Sequence, residues 1–193
     1  MLSIATLPPP HAATPYYSSS IFVDSGFEET SALGASLGFG VNNSLFAIPA
    51  VYTIDTFGRR NLLLTNFPLM ALFLLLTGFS FFIPLETHRT ARVACIALAI
   101  YLFGIMYSPG EGPVPFMYFA EAYPLYVRAY GMSLAPATLW FFNFVLSITW
   151  LSLLAALTSQ GGFGLYVAWN IIGSVLVLLF LPETNGLSLE ELD

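Results

Sequence analysis

Four long windows between charged residues are themselves uncharged: 25 residues between Glu29 and Asp55, 25 between Arg60 and Glu86, 18 between Arg92 and Glu111, and 54 between Arg128 and Glu183. A charge at mid-bilayer costs a few kcal/mol or more, and a helix needs about 20 residues to cross the hydrocarbon layer. Uncharged windows of this length therefore read as transmembrane helices. The longest would make a helix of roughly 80 Å at about 1.5 Å per residue, so it must reverse once, and the break falls at TSQGG, residues 158 to 162. The pattern predicts spans near 31–53, 62–84, 93–119, 131–156 and 163–181, which is five complete crossings. YYSSSIFV (16–23) reads as part of a further span, cut short by Pro8, Pro9, Pro10 and Pro15 in an irregular segment over 1–15. Such windows exclude a membrane β-barrel, whose strands of about 9–11 residues alternate apolar and polar.

Composition sharpens this picture. Only 8% of the residues are charged and 57% are hydrophobic, too few charges to coat a soluble domain and too much apolar content for disorder. The net charge of -6 with no lysine excludes a nucleic-acid partner and a polybasic lipid-binding segment. The single Cys95 excludes a disulfide framework or a Cys-pair metal site, and MLSIATLPPPHAAT lacks the basic n-region of a signal peptide. Arg59, Arg60 and Arg128 fall on one membrane face and Arg89 and Arg92 on the other, which makes the first face cytoplasmic. The C-terminal SLEEL reads either as a short amphipathic helix capped by Ser188 or as a solvated acidic tail.

The candidate chemistry lies inside the spans. SPGEGPVPF (108–116) puts Pro109, Gly110, Glu111, Gly112, Pro113 and Pro115 into one hydrophobic stretch. Broken backbone at membrane depth must be buried in protein or line a watery cavity, and discontinuous helices point to a transporter's central site; the bland alternative is a packing kink. Glu111 is either a pathway or relay acid or, if the span ends near Pro115, a headgroup-level anchor. Asn42 and Asn43 in the first span, and Asn143 beside Trp140 in the fourth, offer amides for hydroxyl-bearing ligands and a ring for stacking; interhelical hydrogen bonding is the competing reading. Ser108 and Phe116 join them as candidate solute-binding residues. At the cytoplasmic face Asp55, Arg59, Arg60, Glu121, Arg128 and Glu183, beside a tight glycine turn at Gly58, would form carboxylate–guanidinium pairs that lock helix ends together. His11 and His88 are the only histidines, and no GxSxG or HExxH occurs, so no enzyme activity, cofactor or metal is expected.

These motifs together resemble the sugar-porter branch of the major facilitator superfamily, in particular its fungal sugar transporters. YYSSSIF resembles the end of helix seven, DTFGRR the loop between helices eight and nine, GEGPVPFMYFAEAYPLYVR helix ten and its exit loop, and PETNGLSLEEL the end of helix twelve. The resemblance implies an all-α integral membrane fold, the C-terminal half (helices 7 to 12, helix 7 truncated) of a 12-helix transporter, over residues 16–193. It further implies a sugar- or polyol-like solute moved by alternating access, Asn43 and Asn143 at the solute site, and a cytoplasmic charge network at Asp55, Arg59, Arg60, Glu121, Arg128 and Glu183. The implied partners are the solute, the lipid bilayer and the missing N-terminal half, and the usual address is the plasma membrane. Ser108 and Phe116 stand where hexose facilitators carry glutamate and tryptophan, TLPPPHA stands where helix seven should begin QQxxGxN, and PETNG replaces PETKG through Asn185. The competing reading is a membrane protein that does not transport, either a degenerate half or a receptor-like binding fragment.

Overall fold

The computed structural model describes residues 19, 21–117, 123 and 126–181 and, for residues 51, 55, 151 and 155, the backbone alone. All regular structure among these residues is helical. The order is α1 (Glu29–Ala47), α2 (Ala50–Phe57), α3 (Arg59–Ser80), α4 (Leu85–Tyr107) and α5 (Arg128–Phe180), with shorter helical turns at 21–25 and 114–117. Four stretches are long and apolar enough to cross a membrane: Arg59–Ser80, Leu85–Tyr107, Arg128–Trp150 and Ala156–Phe180. The proline-rich start, Glu121, Glu183 and the SLEEL tail lie outside the described residues.

Three backbone irregularities shape this bundle. The window expected as one span over 31–53 is divided at Ile48–Pro49 into α1 and α2, because proline supplies no N–H and crowds the carbonyl four residues before it. The window expected over 93–119 holds a helix that starts earlier, at Leu85 after Pro84, kinks at His88 (φ -133, ψ 43), and stops at Tyr107 where the Pro/Gly segment begins. In the longest window, Thr158 takes φ 63 and ψ 170, so α5 turns back on itself at the first residue of TSQGG. That conformation is strained for a β-branched residue and is held by what packs around it. Trp150 before the turn stands 6.1 Å from the Phe163 ring and 5.4 Å from the Tyr166 ring after it, which clamps the two arms together.

α3 lies at the centre, packed on both α4 and α5, while α1 packs on α4 and α2 on α3. The larger core joins Phe22, Phe39, Met70, Phe103, Trp150 and Tyr166; a smaller one at the opposite end joins Ala50, Ile54, Leu63, Val114 and Val177. Hydroxyls inside the helices spend themselves on carbonyls four residues back, as in Ser36 to Ala32, Thr77 to Phe73 and Thr149 to Val145, which lets polar side chains sit in apolar helices without an orphan donor. The outward surface carries Leu37, Phe79, Leu98, Phe141 and Phe144, an exterior suited to hydrocarbon.

The 21–25 turn is fastened to α4 by two arginines. Arg89 Nε donates to the Gly26 carbonyl at 2.9 Å, and Arg92 donates to the carbonyls of Asp24 (3.1 Å) and Ile83 (3.3 Å) while its guanidinium lies 5.0 Å above the Phe81 ring. Burial pushes the Asp24 carboxyl above its ordinary value of 3.8, with Arg92 pulling the other way. An acid whose pKa is raised by folding adds stability when protonated and loses it as the pH climbs through the folded value. Asp24→Asn should therefore raise the melting temperature at pH 7 while leaving it unchanged below pH 3.8. Melting curves in detergent at both pH values test this, since the Arg92 bond is to the main chain and survives the substitution.

Candidate functional site

α1 is joined to α4 by a reciprocal pair of hydrogen bonds. Asn42 Nδ2 donates to the Tyr101 carbonyl at 3.1 Å and the Tyr101 hydroxyl donates to the Ala35 carbonyl at 2.8 Å. The approach is close because Gly104 has no side chain: a Cβ there would meet Phe39 Cε2 at 2.8 Å and Asn42 Nδ2 at 3.1 Å. Of the two glycines at GxxxG spacing in α1, Gly38 meets the Tyr101 hydroxyl and Gly34 meets nothing within 4 Å.

Asn43, one residue further on, points about 100° away around the helix and borders an open cleft of about 670 Å³. Its walls are Asn43, Ser44, Ala47, Ala50 and Ile54 from α1 and α2, with Tyr107, Ser108, Gly112, Pro113 and Met117 from the end of α4 and beyond. The cleft thus sits where two neighbouring helices are both interrupted, one at Ile48–Pro49 and the other after Tyr107. Across it the Ser108 hydroxyl reaches the Asn43 main-chain carbonyl at 2.8 Å and also the Asn43 Oδ1 atom. With Oδ1 engaged, the two N–H donors of the Asn43 amide are what this residue offers to a ligand.

Beyond Tyr107 the backbone is irregular. Gly112 N–H reaches five residues back to the Tyr107 carbonyl at 3.3 Å, and Val114 N–H bonds the Gly110 carbonyl at 3.2 Å. Gly110 is buried against Asn66 of α3, and Glu111 is only 8% exposed. The remaining candidates are placed apart from the cleft wall. Asn42 is spent on α4, Phe116 is 44% exposed, and Pro109 and Pro115 are half-buried. On α5, Asn143 is buried at 7% while Trp140 is 54% exposed.

Among the cytoplasmic candidates, Gly58 joins α2 to α3 with φ 83 and ψ 152, a region that essentially only glycine occupies. Arg59 donates to the Ile54 carbonyl at 3.4 Å, Arg60 to the Leu178 carbonyl of α5 at 3.0 Å, and Arg128 Nε to the Tyr123 carbonyl at 3.2 Å. The side chain of Asp55, with Glu121 and Glu183, lies outside the described residues. Gly58→Ala should cost about 2 kcal/mol through the forced φ, read as a lower melting temperature with an unchanged helix content. Among the described residues no three His, Cys, Asp or Glu side chains come together as a metal site.

Six cleft residues escaped the sequence reading: Ser44, Ala47, Ala50, Ile54, Tyr107 and Met117. Four of the wall residues carried a usable signal. From Asn43 the spacing to Ala47, Ala50 and Ile54 is four, three and four, a single helical face that would extend the site past the proline.

Long apolar helices, a lipid-suited exterior and a largely apolar cleft with a few polar side chains at paired helix breaks define a multi-pass α-helical membrane protein. The chain belongs to the sugar (and other) transporter family, whose model matches residues 1–193. It is 35% identical over 186 residues to myo-inositol transporter 1 of Cryptococcus neoformans var. grubii, covering 91% of this chain and 32% of that one. It is 33% identical over 185 residues to the probable polyol transporter 6 of Arabidopsis thaliana, covering 92% and 36%. The chain spans about a third of the length of these curated relatives. Its fold matches that of the proton:xylose symporter XylE, a major facilitator superfamily protein solved with 6-bromo-6-deoxy-D-glucose bound, at a TM-score of 0.80 and 26% identity. All of this chain aligns with 40% of that one.

Proposed function

We propose that this chain forms the C-terminal half of a transporter for a polyol- or sugar-like solute, and that it works by alternating access with an N-terminal half in the plasma membrane. The observation that carries the reading is the cleft at the two helix breaks, where Asn43 and Ser108 meet. An amide with two available donors, next to a hydroxyl, suits a ligand made of hydroxyl groups. Broken helices on both sides supply main-chain polar groups and a place to bend. The names of the relatives, which include inositol and polyol transporters, favour a cyclic or linear polyol over a hexose, and Ser108 in place of an acid agrees with that preference.

The cytoplasmic charges complete the reading. Arg59, Arg60 and Arg128 tie helix ends to carbonyls, and pairing with Asp55, Glu121 and Glu183 would hold the cytoplasmic side closed until the ends separate. Trp140, exposed on α5, would face the solute once the second half encloses the path, whereas Asn143 is already buried within this half.

Uptake of labelled myo-inositol, a linear polyol and glucose into proteoliposomes holding the complete two-half protein tests the proposal, with and without an imposed proton gradient. Saturable uptake of a polyol, competed by excess unlabelled polyol, is expected. No uptake of any of the three under either condition overturns it. Saturable solute-dependent fluorescence without uptake would make the protein a binder rather than a carrier.

A further inference from the structure

The cleft is not uniform along its length. α1 and α4 run side by side in the same direction, because their contacts step forward together: Ala35 with Tyr101, Phe39 beside Gly104, and Asn43 with Ser108. The side chains of the wall therefore sort by depth. Asn43 and Ser44 on one helix, with Tyr107 and Ser108 on the other, bring every amide and hydroxyl of the wall to one end. Toward the other end the wall is Ala47, Ala50 and Ile54 on one side, and Gly112, Pro113 and Met117 on the other. No side chain among these six carries a hydrogen-bond donor. Nor does the main chain beyond α4 make up the deficit, since the Gly112 N–H is bonded to the Tyr107 carbonyl, Pro113 has no N–H, and the Met117 N–H is bonded to the Pro113 carbonyl.

A molecule with a hydroxyl on every carbon would lose water from those at the apolar end and meet no side-chain donor there, which costs affinity for each one. An alkyl group at that end meets methyl and thioether surface instead. The cleft, at about 670 Å³, falls within the range of about 300–1,000 Å³ typical of small-molecule pockets, so a ring bearing a substituent fits along it. We propose that the cleft selects a two-ended solute: a polyol or sugar with hydroxyls on one edge, held by Asn43 and Ser108, and an apolar group such as an O-methyl ether on the opposite edge, lying against Ala47, Pro113 and Met117. The proposal rests on the reading of this chain as part of a polyol or sugar carrier and narrows that reading to one solute chemistry. Ala47 and Met117 set the specificity. Both are exposed, whereas Ala50 and Ile54 also belong to the smaller core, so the first two can be changed without disturbing it.

Equilibrium binding to the complete two-half protein tests this, by intrinsic fluorescence with myo-inositol and with each of its mono-O-methyl ethers. Binding is read whether or not solute crosses the membrane. At least one ether should bind about tenfold more tightly than myo-inositol, the factor for relieving one buried, unpaired hydroxyl. Met117→Gln keeps the length of the side chain and brings an amide to the apolar end. It should cut the preference below about threefold, chiefly by tightening myo-inositol. Ala47→Ser serves the same purpose if the glutamine variant folds poorly. If no ether binds more tightly than myo-inositol, or the preference stays the same in both variants, the proposal is overturned, and uptake of myo-inositol would still leave the transport reading intact. A variant-sensitive preference for an ether, without uptake of either solute, would instead sink the transport reading and leave this one standing.

Discussion

Asn43→Leu in the complete protein is expected to weaken polyol binding about 100-fold. The amide would give two N–H donors to a ligand while the Ser108 hydroxyl lies against its oxygen. Two hydrogen bonds to hydroxyls at roughly 1–1.5 kcal/mol each come to about 2–3 kcal/mol, and each 1.4 kcal/mol is a factor of ten. Leucine also places an apolar surface against whichever hydroxyls the ligand keeps. Solute titration by intrinsic fluorescence, with a melting curve to establish folding, checks the expectation. A loss of under threefold in a folded variant would show that Asn43 lines the cleft without contacting solute.

The largest stability effect is expected at Trp150. Its ring is 1% exposed and is held between Phe163 and Tyr166, where the arms of α5 meet. In soluble proteins the change to alanine costs about 3–5 kcal/mol, part from lost transfer out of water and part from the cavity left behind. An unfolded membrane helix still leaves the ring in lipid, so the transfer part shrinks and the cavity part remains. The expected cost is therefore about 3 kcal/mol, the lower end of that range. Unfolding in mixed detergent micelles measures it. Trp150→Phe should recover more than half, because the edge-on contact with Phe163 needs a ring and not an indole.

How much of this was legible in the sequence depends on the kind of signal. Missing charges mark the windows unevenly: Arg128–Trp150 and Ala156–Phe180 lie between Arg128 and Glu183, but Leu85–Tyr107 begins ahead of Arg92 and the window between Glu29 and Asp55 holds two shorter helices. The reversal of α5 was also readable, since 54 uncharged residues cannot make a single crossing and TSQGG is the polar, glycine-rich point within them. The division of α1 from α2 was not read, although Pro49 marks it. A proline is tolerated inside other helices here, at Pro68 in α3 and Pro136 in α5, so its presence does not decide between kink and break.

Faces were harder to read than lengths. A helix in lipid is apolar on its packed side and its outer side alike, so the periodic contrast that reveals the core face of a soluble helix is absent. That is why Asn42 and Asn43 looked equivalent, although one is spent on Tyr101 and the other borders the cleft. It is also why Asn66 passed unnoticed. An asparagine in RRNLLLTNFP reads as one polar residue near a helix start, and only the fold brings Gly110 beneath it. The roles of Trp140 and Asn143 depend on what faces α5 across the path.

The turn at Thr158 bears on how the protein is made. Beyond Arg128 both arms of α5 and the turn between them are free of charge, so the membrane-insertion machinery meets a helical pair with no orienting signal inside it. By the positive-inside rule, Arg128 at its entrance is the nearest basic residue able to orient the hairpin. A lysine written into TSQGG would set a second topogenic signal against the first at the one point where the biosynthetic outcome is otherwise undefended.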